Sequence, residues 1–119
     1  MTYTIARTTP ILRIFDETKA KEFYIGFLGF QLDWEHRYEP DLPLYMQVSS
    51  GECQLHLSEH FGDGTPGTAI RVGVLNIEEL HHKLIGQMYK HARPGFDPKE
   101  RAITLNDPFG NIIRFYELE

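Results

Sequence analysis

The chain has 119 residues, 41% of them hydrophobic, a formal net charge of -5 and one cysteine. That length supports a single domain, 1–119, that buries roughly two thirds of its unfolded surface, and Cys53 has no partner for an internal disulfide. The acidic balance lacks the basic stripe that neutralises nucleic-acid phosphates, no stretch approaches the roughly 20 apolar residues of a membrane span, and "MTYTIARTTP" has no apolar signal-peptide core; a cytoplasmic protein without nucleic-acid or membrane partners is expected.

In chain order, "PILRIFDETKAKEFYIGFLGF" predicts a strand over Ile11–Phe15 running into a helix capped by the Asp16 carboxylate. Ala20, Phe23, Tyr24, Phe27 and Leu28 recur at helical spacing as one apolar stripe, and Gly29 supplies a left-handed residue to end it. Three strand-like runs follow, "FQLDWEHRYE", "PLYMQVSS" and "CQLHLSE", separated by turn-rich "PDLP" and "SSG". The Gly- and Pro-rich "FGDGTPGT", residues 61–68, is the one flexible joint expected.

About sixty residues after the first unit its pattern returns in "AIRVGVLNIEELHHKLIGQM". Leu12 and Ile14 fall against Val72 and Val74, Asp16 against Asn76, and Ala20, Tyr24 and Leu28 against Leu80, Leu84 and Met88. Asn76 and Glu79 have the spacing of a capping box. The runs "YKHARP", "RAITLND" and "NIIRFYE" complete the second unit, with a hairpin at "NDPFGN". An offset of half the chain marks an internal repeat, so the expected fold is α+β, two paired βαβββ modules at about 1–60 and about 68–119 that form a concave mixed-sheet cleft.

Strand alternation gives each sheet an apolar face and a polar-aromatic one. Leu55 and Leu57 alternate with Gln54, His56 and Ser58; Ile113 and Phe115 alternate with Ile112, Arg114 and Tyr116. If both polar faces line one cleft, the ligand-binding candidates are Trp34, Tyr38, Tyr45, Gln47, His56, Arg114 and Tyr116, aromatic walls with a few orienting hydrogen-bond groups. A buried Arg114 needs an acid or a ligand anion beside it, with Glu52, Asp33 and Glu35 as possible partners. Cys53 and His56 fall on opposite faces, which leaves no Cys-His nucleophile, and Asp33, Glu35 and Glu39 read as a solvent-facing acidic set.

The sequence resembles the glyoxalase, bleomycin-resistance and dioxygenase superfamily, also called vicinal oxygen chelate. "FYIGFLGF" is similar to its F-Y-x-x-x-L-G-F signature, "NDPFGN" to its D-P-x-G-N turn, and the paired modules to its architecture. "PILRIFD" and "LHLSEH" resemble the bleomycin-resistance branch, which implies a homodimer, with exchange of the first strand or half between chains as one open arrangement.

Metal enzymes of the superfamily hold a divalent ion with four ligands, whose positions map by motif to Thr9, His56, Ala69 and Arg114. Only His56 could coordinate; a guanidinium stays protonated and repels a cation. His56 with Glu59 and His60, or His81 with His82, offers fewer than three convergent ligands. No metal and no cofactor is therefore expected.

Trp34 matches the position where the resemblance implies an aromatic that stacks on a drug's planar rings, whereas the Q-P-W-G loop that carries a second such Trp is replaced here by "FDPKERAI". The resemblance then implies a metal-independent protein that sequesters an aromatic or cationic small molecule in a dimer cleft. The alternative is a glyoxalase-like lyase or isomerase with His56 as base and Arg114 stabilising an oxyanion.

Overall fold

A computed structural model describes residues 2–87 and 94–118 of the chain. The first module comprises β1 (Ile11–Arg13), α1 (Glu17–Lys21) continuing as a π-helical segment (Glu22–Phe27), β2 (Gln31–His36), β3 (Tyr45–Ser50) and β4 (Cys53–Ser58). The second comprises β5 (Ala69–Val74), α2 (Ile77–Ile85), β6 (Gly95–Asp97), β7 (Ala102–Asn106) and β8 (Ile112–Glu117). Two four-stranded sheets result, ordered β1-β4-β3-β2 and β5-β8-β7-β6, with β1 parallel to β4 and β5 parallel to β8. Met88 and most of the run "YKHARP" lie outside the described residues, and the strand expected there is described from Gly95.

Each sheet buries one face. Leu55, Leu57, Ile113 and Phe115 are at most 4% exposed, whereas His56 and Arg114, one residue along, are not buried. One core cluster joins these residues to the helices of both modules, so the helix-bearing faces share an interior and the polar faces remain outside it. Burying each such side chain contributes about 1.5–3 kcal/mol.

Asp16 caps α1 as its sequence position predicts, accepting from the Lys19 N–H at 2.9 Å. Beyond Lys21 the expected regular helix widens: the Leu28 N–H donates to Phe23 C=O, five residues back, at 2.8 Å. A wider turn brings neighbouring side chains nearer to one face. Phe23 and Tyr24, adjacent in sequence, are accordingly both fully buried beside Ala20, Phe27 and Leu28. Gly29, with φ of 79°, ends the segment.

The second helix departs from its expected cap. Asn76 is left-handed, with φ of 67°, and its side chain accepts no capping bond, so the Asn76–Glu79 box does not form. Glu117 at the end of β8 takes that role, its carboxylate accepting from the N–H groups of Asn76 at 3.0 Å and Ile77 at 2.8 Å. A side chain 41 positions away satisfies donors that every helix start leaves open.

The turn "NDPFGN" ties the two modules together. Asp107 accepts from the backbone N–H groups of Phe109 and Asn111 at 2.8 Å each, which shapes the turn. Its other oxygen accepts from the Tyr24 hydroxyl of the first module at 2.6 Å and from the Asn111 amide at 2.9 Å. That amide also donates to the Arg13 carbonyl on β1 at 2.8 Å. Most of the linker is exposed, but it approaches β1 at Gly64, where a Cβ would come within 2.9 Å of the Ile11 carbonyl.

One irregularity decides where the tryptophan points. Leu32 pairs with Val48 and Trp34 with Gln47, which leaves Asp33 as an extra, bulged residue. Strict alternation from the core-side Leu32 would have turned Trp34 under the helix. The bulge reverses the phase, so Trp34 shares the outer face with Gln47, and Glu35, still exposed, turns to the helix side to pair with Lys21 of α1 at 2.9 Å. The acidic set expected along this strand is thus split between two faces.

Candidate functional site

On the outer face of the first sheet, three adjacent strands bring together four of the predicted residues. Trp34 and Tyr45 stack with ring centroids 6.0 Å apart and planes 10° apart, and the His56 ring meets both edge-on at 5.3 and 5.1 Å. A chain of hydrogen bonds fixes them. The Tyr45 hydroxyl lies 2.6 Å from His56 Nδ1, His56 Nε2 lies 3.0 Å from Gln47 Oε1, and the Gln47 amide donates to Asp33 at 3.0 Å. Gln47 must accept through Oε1, so His56 donates from Nε2 and Nδ1 accepts the Tyr45 proton.

The electrostatics agree with that tautomer. Burial lowers the His56 pKa from its ordinary 6.5, favouring the neutral ring. Burial, and then the charge of Asp63, raise the Tyr45 pKa and keep its hydroxyl protonated. Hydrogen bonds from Gln47 and then Ser49 lower the Asp33 pKa and hold it as an anion. Trp34 remains 42% exposed, so the pair presents an open aromatic surface. Tyr38 lies beyond the strand, 75% exposed and edge-on to His36 rather than to Trp34.

Arg114 and Tyr116 occupy the outer face of the second sheet. Arg114 is exposed, not buried in a cleft, and makes no ion pair with Asp33, Glu35 or Glu52. Asp33 is bound to Gln47 and Glu35 to Lys21, so the bulge has committed both elsewhere. The residue level with Arg114 on the neighbouring parallel strand is Arg71, and its guanidinium lies 4.3 Å from the centre of the Tyr116 ring. The sequence-based candidates omit Arg71, although the parallel strings "AIRV" and "IIRF" carried the signal for this pairing.

The four positions mapped as metal ligands do not fit an ion. Thr9 precedes β1, Ala69 pairs with Ile112, and the true neighbour of Arg114 is a second cation. His56 has both ring nitrogens engaged. Among the described residues no three His, Cys, Asp or Glu side chains converge.

Two cavities lie near the junction of the modules. One of about 570 Å³ is lined by Leu28, Phe30, Val72, Leu80, Phe115 and Leu118, on the helix-bearing side, and includes none of the predicted site residues. The aromatic chemistry lies elsewhere, so its size does not make it the better candidate. The second, about 360 Å³, brings Arg7, Pro10 and Gln54 to the same wall as Arg71 and Tyr116.

The chain matches the family described as "Glyoxalase superfamily protein" over residues 2–119. No curated protein matches it significantly. Among solved structures it is similar to a bleomycin-binding protein from Streptomyces verticillus complexed with copper(II)-bleomycin, at 23% identity, TM-score 0.72, covering 99% of this chain and 100% of that one. It is also similar to TnmS3, an antibiotic binding protein from Streptomyces sp. CB03234, at 17% identity, TM-score 0.72 and coverage of 99% and 100%. A third is a glyoxalase/bleomycin resistance protein/dioxygenase superfamily member from Sphaerobacter thermophilus, at 23% identity, TM-score 0.68 and coverage of 96% and 98%. At these identities the likeness is one of fold. With the paired βαβββ sheets and the match along residues 2–119, the chain belongs to the glyoxalase superfamily.

Proposed function

We propose that this protein binds and sequesters a planar aromatic small molecule, with no chemical step, on the outer sheet face that carries Trp34. The observation that carries this reading is the stacked Trp34–Tyr45 pair, held by His56 and Gln47 while one side stays open. Rigid aromatic walls with few orienting polar groups suit a flat ligand. The bleomycin-binding and antibiotic-binding proteins of the same fold support it by analogy. Tyr38, Arg114 and Tyr116 extend the surface available to a larger ligand.

An open sheet covers only one side of such a ligand, and a second copy of the chain is the proposed cover. Tyr3 and Ile5, 86% and 83% exposed on the segment before β1, are apolar groups that a homodimer would bury. A lyase with His56 as base is disfavoured because neither ring nitrogen is free to take a substrate proton.

Trp34 is the only tryptophan, so emission reports on this site alone. Titration with bleomycin and a panel of planar aromatics is expected to quench it, and Tyr45→Ala to weaken the quenching ligand's affinity. No quenching by any panel member at millimolar concentration sinks the reading. Sedimentation of the free protein tests the dimer.

A further inference from the structure

We propose that Arg71 and Arg114 form an oxyanion subsite on the second sheet that takes a carboxylate or phosphate group of the ligand. This rests on the aromatic-binding reading above and adds the sign of the ligand's charge, anionic where the family resemblance suggested cationic.

The register places the two arginines side by side. They are paired residues of the parallel strands β5 and β8, so both side chains leave the same face, one strand spacing apart. Like charges in such neighbouring positions destabilise a sheet. Thr104 pairs with Arg114 from the other side and adds no charge.

Acids are plentiful in this chain, 17 against 12 Lys and Arg, yet the ion pairs of the described residues fall elsewhere. Arg37 pairs with Glu17 and Glu59, Arg101 with Glu78 and Glu117, and Lys21 with Glu17 and Glu35. Neither Arg71 nor Arg114 belongs to any of these pairs. Glu52 shares the cavity wall with Arg71 but forms no salt bridge with it. Two arginines at paired positions of neighbouring strands, neither of them ion-paired to a carboxylate among the described residues, suit an anion with more than one oxygen.

The site is also partly preorganised. The Arg71 guanidinium rests on the Tyr116 ring, which restricts its rotamers before any ligand arrives. Tyr116 reaches over Gly73, where a Cβ would lie 3.4 Å from the tyrosine oxygen. Arg7, which donates to Gln54 at 3.4 Å, adds a third cation along the cavity that Arg71 lines. An anion beside these cations offsets their repulsion, whereas a cation would increase it.

The experiment compares 1-naphthoate with the isosteric neutral 1-naphthamide by calorimetry, and titrates inorganic phosphate alone while following the amide resonances of Arg71 and Arg114. The wild-type protein is expected to bind naphthoate about tenfold tighter than naphthamide. Arg71→Gln and Arg114→Gln should each remove most of that preference. Added phosphate should shift both resonances and compete with naphthoate, and the preference should shrink as salt rises. Equal affinity for the two naphthalenes overturns the subsite while leaving aromatic binding intact. If neither naphthalene binds, the aromatic reading fails for them and phosphate alone decides: shifts at both arginines uphold the subsite, and their absence overturns it. Dissociation of a dimer by Arg71→Gln with Arg114→Gln, without loss of anion preference, also overturns it, because the arginines then serve the contact between copies.

Discussion

The Tyr45 hydroxyl and His56 Nδ1 face each other at 2.6 Å across β3 and β4, with both rings edge-on. That bond uses the one lone pair that His56 would need to accept a proton. Protonation therefore has to reverse the Tyr45 hydroxyl, and partial burial of the imidazole opposes it further.

A pH dependence follows. The folded pKa of His56 lies below its ordinary 6.5, so the unfolded chain binds more protons in the interval between them. Stability from this site is complete above the unfolded value and is lost as pH falls through the folded one. The urea midpoint should decline from pH 8 toward pH 5 more steeply in the wild type than in His56→Gln. Equal slopes in the two proteins would remove the argument.

The bulge makes a prediction that runs against the usual effect of a strand deletion. Removing one residue normally flips every side chain beyond it to the other face. Removing Asp33 should not, because Leu32 and Trp34 already pair with adjacent residues of β3. The deletion should fold, keep the Trp34 emission maximum and lose only the anchor of Gln47. Deleting Leu32 instead must bring Gln31 or Asp33 opposite Val48, in the core, and should cost several kcal/mol, about 3 or more. A strong blue shift of Trp34 in the Asp33 deletion would show that the bulge does not set its face.

These relationships also mark what could be read in the sequence. Local periodicity was enough for β4, β8 and the stripe on α1, since each depends on residues within a few positions of one another. The bulge depends on how β2 meets β3, and no run of letters in "FQLDWEH" announces it. The cap of α2 comes from Glu117, and the asparagine in the expected position has turned left-handed. The pairing of Arg71 with Arg114 becomes visible only once β5 and β8 are known to be parallel and in register. Likewise, Tyr24 looked like one more apolar stripe residue until Asp107, 83 positions on, gave its hydroxyl a partner.

That last contact is a measurable clasp between modules. The 2.6 Å bond joins a buried hydroxyl to a buried carboxylate that also organises the terminal turn. Tyr24→Phe leaves Asp107 without this donor and should cost about 2 kcal/mol in urea unfolding. Combined with Asp107→Asn, the loss should be less than additive by about 1 kcal/mol. Full additivity would mean that the two side chains do not cooperate in the folded protein.

The α2 cap separates two accounts of the same helix start. A capping box assigns the effect to Asn76 and Glu79, so that either alanine substitution destabilises and Glu117→Ala does not. The geometry reverses this order, because the carboxylate of Glu117 accepts both N–H groups while the Asn76 side chain accepts neither. Glu117→Ala should lower Tm more than Glu79→Ala, which should be nearly neutral. Asn76→Gly should raise stability by roughly 0.5 kcal/mol, because the position is left-handed and glycine enters that region without strain. The backbone bonds from Ile77 and then Asn76 hold the Glu117 pKa below 4.5, so its contribution persists above that value and disappears as pH falls through the lowered one. Thermal melts of the four proteins at pH 7 and pH 3 decide the matter. A Glu117→Ala protein that melts with the wild type at pH 7, while Glu79→Ala does not, would restore the capping box.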